Sequence, residues 1–262
     1  MDILIPILTM GFLGLIFGIG LAIASKKFSV QVDARLEKIH GLLPGSNCGA
    51  CGGAGCFGFA EMLLSGKKGL EACRVAEEAI KEKIAHLLGQ KVEKQVRKVC
   101  VLHCYGGRRV ANRFIYQGIE DCSAASLVLG GQKECVYGCL GFGDCGRICP
   151  FGAIKMAKDN LPVVDKVKCR ACNKCVLICP KKLFSLSPVT HPVFVACSSH
   201  DLGKDTVAAC PVGCIACGLC VKACPVDAIH VIDNLAVIDY HKCISCGKCV
   251  EACPMKTIRI RR

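Results

Sequence analysis

Tryptophan is absent from this 262-residue chain, and four tyrosines and ten phenylalanines leave it few large side chains. Apolar burial alone is therefore a thin source of stability, and small domains short of a core rely on metals or cross-links. Carboxylates are also scarce, 21 against 34 lysines and arginines, for a formal charge of +13. No Gly-x-Gly-x-x-Gly follows a strand and no Walker-type phosphate loop occurs, which excludes a dinucleotide-binding half between the remaining motifs. No nucleic-acid recognition motif accompanies the basic balance, so nucleic acid is not expected as a partner. The seven histidines are scattered. His103 beside Cys104 and His241 beside Cys243 are near enough to tune or replace a ligand, but isolated histidines are more often packed or solvated.

What the chain has in abundance is cysteine, 25 residues. Three runs, beginning at Cys169, Cys214 and Cys243, read C-x2-C-x2-C-x3-C-P without deviation. A [4Fe–4S] cube needs four thiolates in a tetrahedral arrangement. Three come from one tight loop, and the fourth, just before proline, ligates the neighbouring cluster. Zinc takes two ligands from each of two separated knuckles, so a triple run argues against it. No cleavable signal precedes the cysteines, so a disulfide scaffold is not indicated and a reducing compartment is expected. Each cluster with its four thiolates adds about −2, and five or six of them bring the chain close to neutral.

Residues Ile3 to Ala24 form an almost unbroken apolar stretch, long enough to cross the roughly 30 Å hydrocarbon core. Lys26 and Lys27 follow, which by the positive-inside rule places the C-terminal bulk in the cytoplasm. A signal peptide competes, but Met1-Asp2 carries no positive charge and no cleavage site is evident. Residues 1–27 are therefore expected to be a single-pass anchor in the cytoplasmic membrane. Gly14 and Gly18 form one G-x-x-x-G, a spacing that lets a second helix approach closely. Beyond Asp2 the span has no ionisable residue, so any ion path must run through other subunits.

Residues 33–92 hold Leu42-Leu43-Pro44-Gly45, then Cys48, Cys51 and Cys56 in CGACGGAGC, then Cys73. Glycines between thiolates let backbone amides approach sulfide, so the four read as one cluster set. Val75, Ala79, Ile80, Ile84, Leu87 and Leu88 recur at helical spacing and predict a helix over 70–88 that covers this site, with a Glu77–Lys81 pair and Gly89 as its stop.

An apolar N-terminal helix, this small four-cysteine domain and paired ferredoxin motifs, in that order, resemble the B subunit of the Rnf complex. The likeness covers essentially the whole chain. It implies electron transfer between ferredoxin and NAD coupled to sodium or proton pumping, with NAD and flavin on other subunits and reduced ferredoxin as donor.

The C-terminal part is duplicated. CVYGCLGFGDCGRICPFGAI at 135–154 matches CPVGCIACGLCVKACPVDAI at 210–229, and Asn160–Asp165 matches Asn234–Asp239, the hairpin expected between two motifs. Two tandem two-cluster modules follow, 93–190 and 191–262. The crossed ligation rule gives Cys214, Cys217, Cys220 and Cys253 to one cluster of the second module and Cys224, Cys243, Cys246 and Cys249 to the other. In the first module, Cys149, Cys169, Cys172 and Cys175 form the matching set. The remaining set is irregular: Phe142 stands where Cys217 does, leaving Cys139, Cys145 and Cys179 short of one ligand. Cys135 or another upstream cysteine is expected to complete it, the alternatives being a three-iron cluster or no cluster. Cys104 matches Cys197 and Cys135 matches Cys210, so Cys104, Cys122, Cys197 and Cys210 are candidates for further metal ligation, and Cys100 is the expected free thiol.

Basic residues crowd the motifs: Lys166, Lys168, Arg170, Lys174, Lys181 and Lys182 in one module, Lys242, Lys248, Lys256 and Arg259 in the other. They either steer an acidic donor or balance cluster charge. The expected protein is α+β: an N-terminal transmembrane helix, a small four-cysteine iron–sulfur domain and two tandem two-cluster ferredoxin-like modules. It carries five [4Fe–4S] clusters, with a sixth open, and passes electrons from reduced ferredoxin to partner subunits of a membrane redox complex. The competing readings are a polyferredoxin subunit of a hydrogenase or formate complex, and a protein that stores or assembles clusters.

Overall fold

A computed structural model describes residues 4–28, 33–90 and 96–261. The first three residues of the expected anchor, and the expected boundary between small domain and first module at 92–93, lie outside the described residues. Leu4–Lys27 is one 24-residue helix, α1. At 1.5 Å per residue it is about 36 Å long, more than the hydrocarbon core requires. The window Ile7–Lys27 has a mean hydropathy of 2.3 and none of it is buried against the rest of the chain. Within the helix, the Thr9 hydroxyl returns a hydrogen bond to the Ile5 carbonyl at 3.0 Å, which hides its polarity from an apolar surrounding.

The small domain is built from α2 (Ala34–Leu42), α3 (Gly55–Leu64) and α4 (Glu78–Leu88). Asp33 caps α2 by accepting from the Arg35 amide at 2.8 Å. Leu36, Ile39, Phe59, Leu63 and Ile84 meet in one core with Cys56 and Cys73. The helix expected over 70–88 is broken: Leu70–Ala72 is one 3-10 turn, and α4 starts only at Glu78. Cys73 explains the break. The amides of Ala76 and Val75 are turned toward its sulfur, and an amide aimed at sulfur cannot serve an i−4 carbonyl. Gly89 ends α4 in the left-handed conformation, φ 65°, as expected. Glu77 meets Arg170 of the first module at 3.4 Å.

Each ferredoxin-like module has an outer strand pair and an inner hairpin. In the first, β1 (Lys98–Leu102) pairs antiparallel with β4 (Phe184–Pro188), Cys100 opposite Leu186, around the hairpin of β2 (Ile154–Met156) and β3 (Pro162–Val164). In the second, β5 (Val193–Val195) pairs with β8 (Ile258–Ile260), around β6 (Ile229–Ile232) and β7 (Leu235–Ile238). The second hairpin turns at Asp233 and Asn234, φ 48° and 60°, the left-handed pair that a two-residue turn demands. Between outer and inner strands run the cysteine loops and six short helices: α5 (Cys122–Leu127), α6 (Asp144–Arg147), α7 (Lys174–Ile178), α8 (Gly203–Ala209), α9 (Leu219–Lys222) and α10 (Lys248–Glu251).

His103 joins the modules. Burial holds it below its ordinary pKa and therefore neutral. One ring nitrogen, Nδ1, donates to the Val195 carbonyl at 2.7 Å, and Nε2 accepts from the Ser185 hydroxyl at 2.6 Å. Both nitrogens are spent on packed contacts, which leaves none for a metal. Arg261 adds a second tie, donating to the carbonyls of Pro188 and His191 at 2.8 and 3.2 Å.

Candidate iron-sulfur centres

The three regular cysteine loops share one backbone. Ala171 and Asn173, Ala216 and Gly218, and Ser245 and Gly247 all have positive φ, and each loop runs into a short helix, α7, α9 or α10. A non-glycine residue there is strained by about 1–2 kcal/mol, so Ala171, Ala216 and Ser245 record a demand that outweighs local preference. The irregular stretch meets the same demand with Gly141 and Gly143, φ 87° and 85°, before α6. It is built as a cluster loop although Phe142 fills the place of a cysteine.

The four Cys-Pro corners repeat as well. Gly152, Lys182, Asp227 and Lys256 have positive φ three residues after each cysteine. That turn sends the following amide back to sulfur: Leu183 to Cys179 at 3.5 Å, Ala228 to Cys224 at 3.3 Å and Thr257 to Cys253 at 3.3 Å. Hydrogen bonds of this kind favour the thiolate over the thiol.

Cavities lie inside these loops. One is lined by Cys214, Cys217, Cys220 and Cys253, and one by Cys224, Cys243, Cys246 and Cys249. A third is lined by Cys149, Cys169, Cys172 and Cys175 together with Cys100. In the small domain Cys73 has Cys51 and Cys48 as charge neighbours, and Cys56 lies in the same core. Among the described residues no three such side chains close on a point as around a single ion. Thiolates around one zinc stand only about 3.8 Å apart, and a four-iron cube spreads them wider. The donor chemistry, the sulfur-directed amides and the cavities all fit [4Fe–4S] clusters.

Cys135 lines one cavity together with Cys139 of the irregular set, while the thiols that act on Cys135 are those of Cys210, Cys104 and Cys197. Cys122, twenty residues before Phe142, comes to the irregular loop instead. It neighbours both Cys139 and Cys145, and Cys179 acts on Cys145 in turn. The amides of Asp144, Phe142 and Gly143 face the Cys122 sulfur. Asp121 caps α5 by accepting from Ser123 and Ala124, and buried Asp144 accepts from the Cys122 amide at 2.9 Å. Arg147 clamps the two segments, paired with Asp144 and Asp121 and donating to the Phe142 carbonyl at 2.8 Å. Motif spacing contains none of this; the one local sign is a cysteine right after a helix-capping Asp.

Burial sets the state of the thiols when no iron is bound. It raises Cys197, Cys220 and Cys249 to about 11, and Cys135 and Cys145 to about 12. Iron must therefore displace protons from these side chains. Cys100 differs: it is buried in the first module's core, its sulfur 3.2 Å from that of Cys175 and its amide donating to Cys169 at 3.4 Å. The Cys100 hydrogen bond is the largest influence lowering the Cys175 pKa.

An iron–sulfur family (FeS) matches residues 43–75, and two families of 4Fe-4S dicluster domains match 168–231 and 213–258. The 168–231 match crosses from one module to the next because it pairs consecutive cysteine runs. The outer strand pairs put the division between Pro188 and Val193. The chain is 46% identical over 241 residues to the B subunit of the Na(+)-translocating ferredoxin:NAD(+) oxidoreductase complex of Acetobacterium woodii, covering 92% of this chain and 72% of that one. It is 40% identical over 250 residues to the B subunit of the ion-translocating oxidoreductase complex of Methanosarcina acetivorans, 95% of each. A third relative, 40% identical over 239 residues, is the B subunit of the proton-translocating ferredoxin:NAD(+) oxidoreductase complex of Clostridium ljungdahlii, with 90% and 84% covered.

Proposed function

The chain belongs to the family of B subunits of Rnf-type ion-translocating oxidoreductase complexes, and from that premise we propose that it is the iron–sulfur subunit that receives electrons from reduced ferredoxin and passes them to partner subunits. The observation that carries this is the fourfold repetition of one cluster-binding loop and one Cys-Pro corner. Bound clusters supply one-electron chemistry. The residues hold them, in five sets: Cys48, Cys51, Cys56 and Cys73; Cys122, Cys139, Cys145 and Cys179; Cys149, Cys169, Cys172 and Cys175; Cys214, Cys217, Cys220 and Cys253; Cys224, Cys243, Cys246 and Cys249.

The small domain follows α1 directly in sequence, so its set belongs to the membrane end. Cys217 and Cys246 are the two exposed cysteines, and both lie in the second module. That module is the face offered to ferredoxin. The protein is membrane-associated through α1, which crosses once with Lys26 and Lys27 on the cytoplasmic side. No dinucleotide fold occurs among the described elements, and NAD and flavin are handled by partner subunits.

The test is iron and acid-labile sulfide per chain, measured anaerobically on the full-length protein, with EPR during titration by reduced ferredoxin. At least about 20 irons, four per cube, reducible within the mixing time are expected. Clusters that ferredoxin leaves oxidised would reduce the reading to an iron–sulfur subunit fed by another donor, or to cluster storage.

A further inference from the structure

One cavity is lined mainly by cysteines outside these five sets. It lies between the two modules and is lined by Cys104 and Cys135 from the first and Cys197 and Cys210 from the second, with Cys139 of the irregular set also in its wall. We propose that Cys104, Cys135, Cys197 and Cys210 hold a sixth [4Fe–4S] cluster, shared by both modules.

The two halves of the cavity repeat each other. Cys104 follows β1 by two residues and Cys197 follows β5 by two. The other pair sits in matching C-x-x-G-C turns: Gly138 donates to the Cys135 carbonyl at 2.9 Å, and Gly213 to the Cys210 carbonyl at 3.3 Å. A Cβ on Gly213 would come within 2.3 Å of Thr206, and one on Gly138 within 3.0 Å of the Cys135 carbonyl, so each turn closes tightly only with glycine. A buried thiol that merely fills space needs no such arrangement, and a duplication has no reason to keep it twice.

Every one of the four sulfurs is faced by backbone amides. Cys104 accepts from Cys139 at 3.4 Å, and its counterpart Cys197 accepts from Cys214 at 3.3 Å and Ser199 at 3.4 Å. The amide of Tyr137 faces Cys135, and that of its counterpart Val212 faces Cys210. These donors suit thiolates, and the four thiolates come from four separate backbone segments that already surround one space.

The location gives the site its consequence. Cys139 and Cys214, the donors to Cys104 and Cys197, are themselves the first cysteines of the flanking loops. The row of cysteine sets runs from the small domain, whose core includes Cys172, through the first module, where Cys175 acts on Cys145, to this junction. Beyond it lies the second module, where Cys214, Cys224, Cys249 and Cys253 share one core. The junction joins the two modules' rows. This relay role rests on the proposed electron transfer; the iron content of the site does not.

The test is metal analysis of the anaerobic full-length protein, unmodified and as Cys135→Ala/Cys210→Ala, with Cys100→Ala as control. Six sets of four consume all cysteines but Cys100, so the unmodified chain and the control should hold about 24 irons and the double variant about 20. In the variant, ferredoxin should still reduce the second module while the EPR signals of the first appear at least tenfold more slowly. An unmodified chain that holds about 20 irons, or a zinc ion lost in the variant, overturns the sixth cluster. The unmodified count decides the matter even if the variant does not fold. A full iron count with no reduction by ferredoxin would leave the site standing and remove the relay role.

Discussion

At the scale of single residues, Phe142 and Cys122 exchange places. The loop around Phe142 has the left-handed glycines of a cluster loop, and the Phe142 ring turns to Tyr116, centroids 5.6 Å apart, while Cys122 reaches in from α5. Cys122→Ala should therefore lose about four irons per chain. The double variant Cys122→Ala/Phe142→Cys should regain them, because the backbone at 142 already has the conformation of the regular loops. Iron content and EPR decide: a Cys122→Ala protein with all its iron would remove Cys122 from the set. Cys100 makes a different prediction. Its thiol lies 3.2 Å from the Cys175 sulfur, and a hydrogen bond to a ligating sulfur raises a cluster's potential. Cys100→Ala should keep the iron count and shift one EPR-monitored midpoint downward. An unmoved midpoint would make Cys100 simple core filling.

At the scale of elements, the insertion carrying α5 is held to the irregular loop by Arg147, which pairs with Asp144 and Asp121. Removing the guanidinium leaves the buried Asp144 carboxylate with only amide partners, a loss of about 1–3 kcal/mol. Arg147→Ala should therefore release iron from this site first when the protein is titrated with chelator, while the second module's EPR signals persist; uniform loss from all sites would contradict the clamp. The same elements show what the sequence makes legible. Regular loops, the inner hairpins, α1 and the duplication are readable because each is local, its spacing set by the chemistry of one loop or turn. The outer pairs β1–β4 and β5–β8 are not, since their partners are separated by more than sixty residues and carry no motif. Nearness in sequence puts Cys135 beside Cys139. The turn closed by Gly138 leaves both in the wall of one cavity, and only the inserted segment brings Cys122 beside Cys139 and Cys145. The break at Cys73 is hidden for a related reason: helical periodicity runs on through 73–77, but sulfur takes the amides.

At the scale of the whole molecule, charge and exposure are arranged along the chain. The membrane helix and the small domain occupy one end of the sequence, and the exposed Cys217 and Cys246 mark the other. Clusters cancel most of the formal +13, yet the lysines nearest these loops are not consumed by internal pairs. Lys242, Lys248 and Lys256 are exposed, as are Lys166, Lys168 and Lys182 in the first module, where Arg170 is taken by Glu77 and the Lys181 ammonium donates to the Val136 carbonyl at 2.6 Å. Lys242, Lys248 and Lys256 lie beside the loops of the exposed Cys217 and Cys246, where an acidic ferredoxin would be drawn. Reversing two of these charges, Lys242→Glu/Lys248→Glu, should slow reduction by ferredoxin about tenfold at low ionic strength, and salt should erase most of the difference as the Debye length shrinks. The iron count should not change, because neither side chain faces a cavity. Stopped-flow reduction at two salt concentrations measures both effects. If the variant and the unmodified protein are reduced at the same rate in low salt, the lysines only balance cluster charge, and ferredoxin docks on another face.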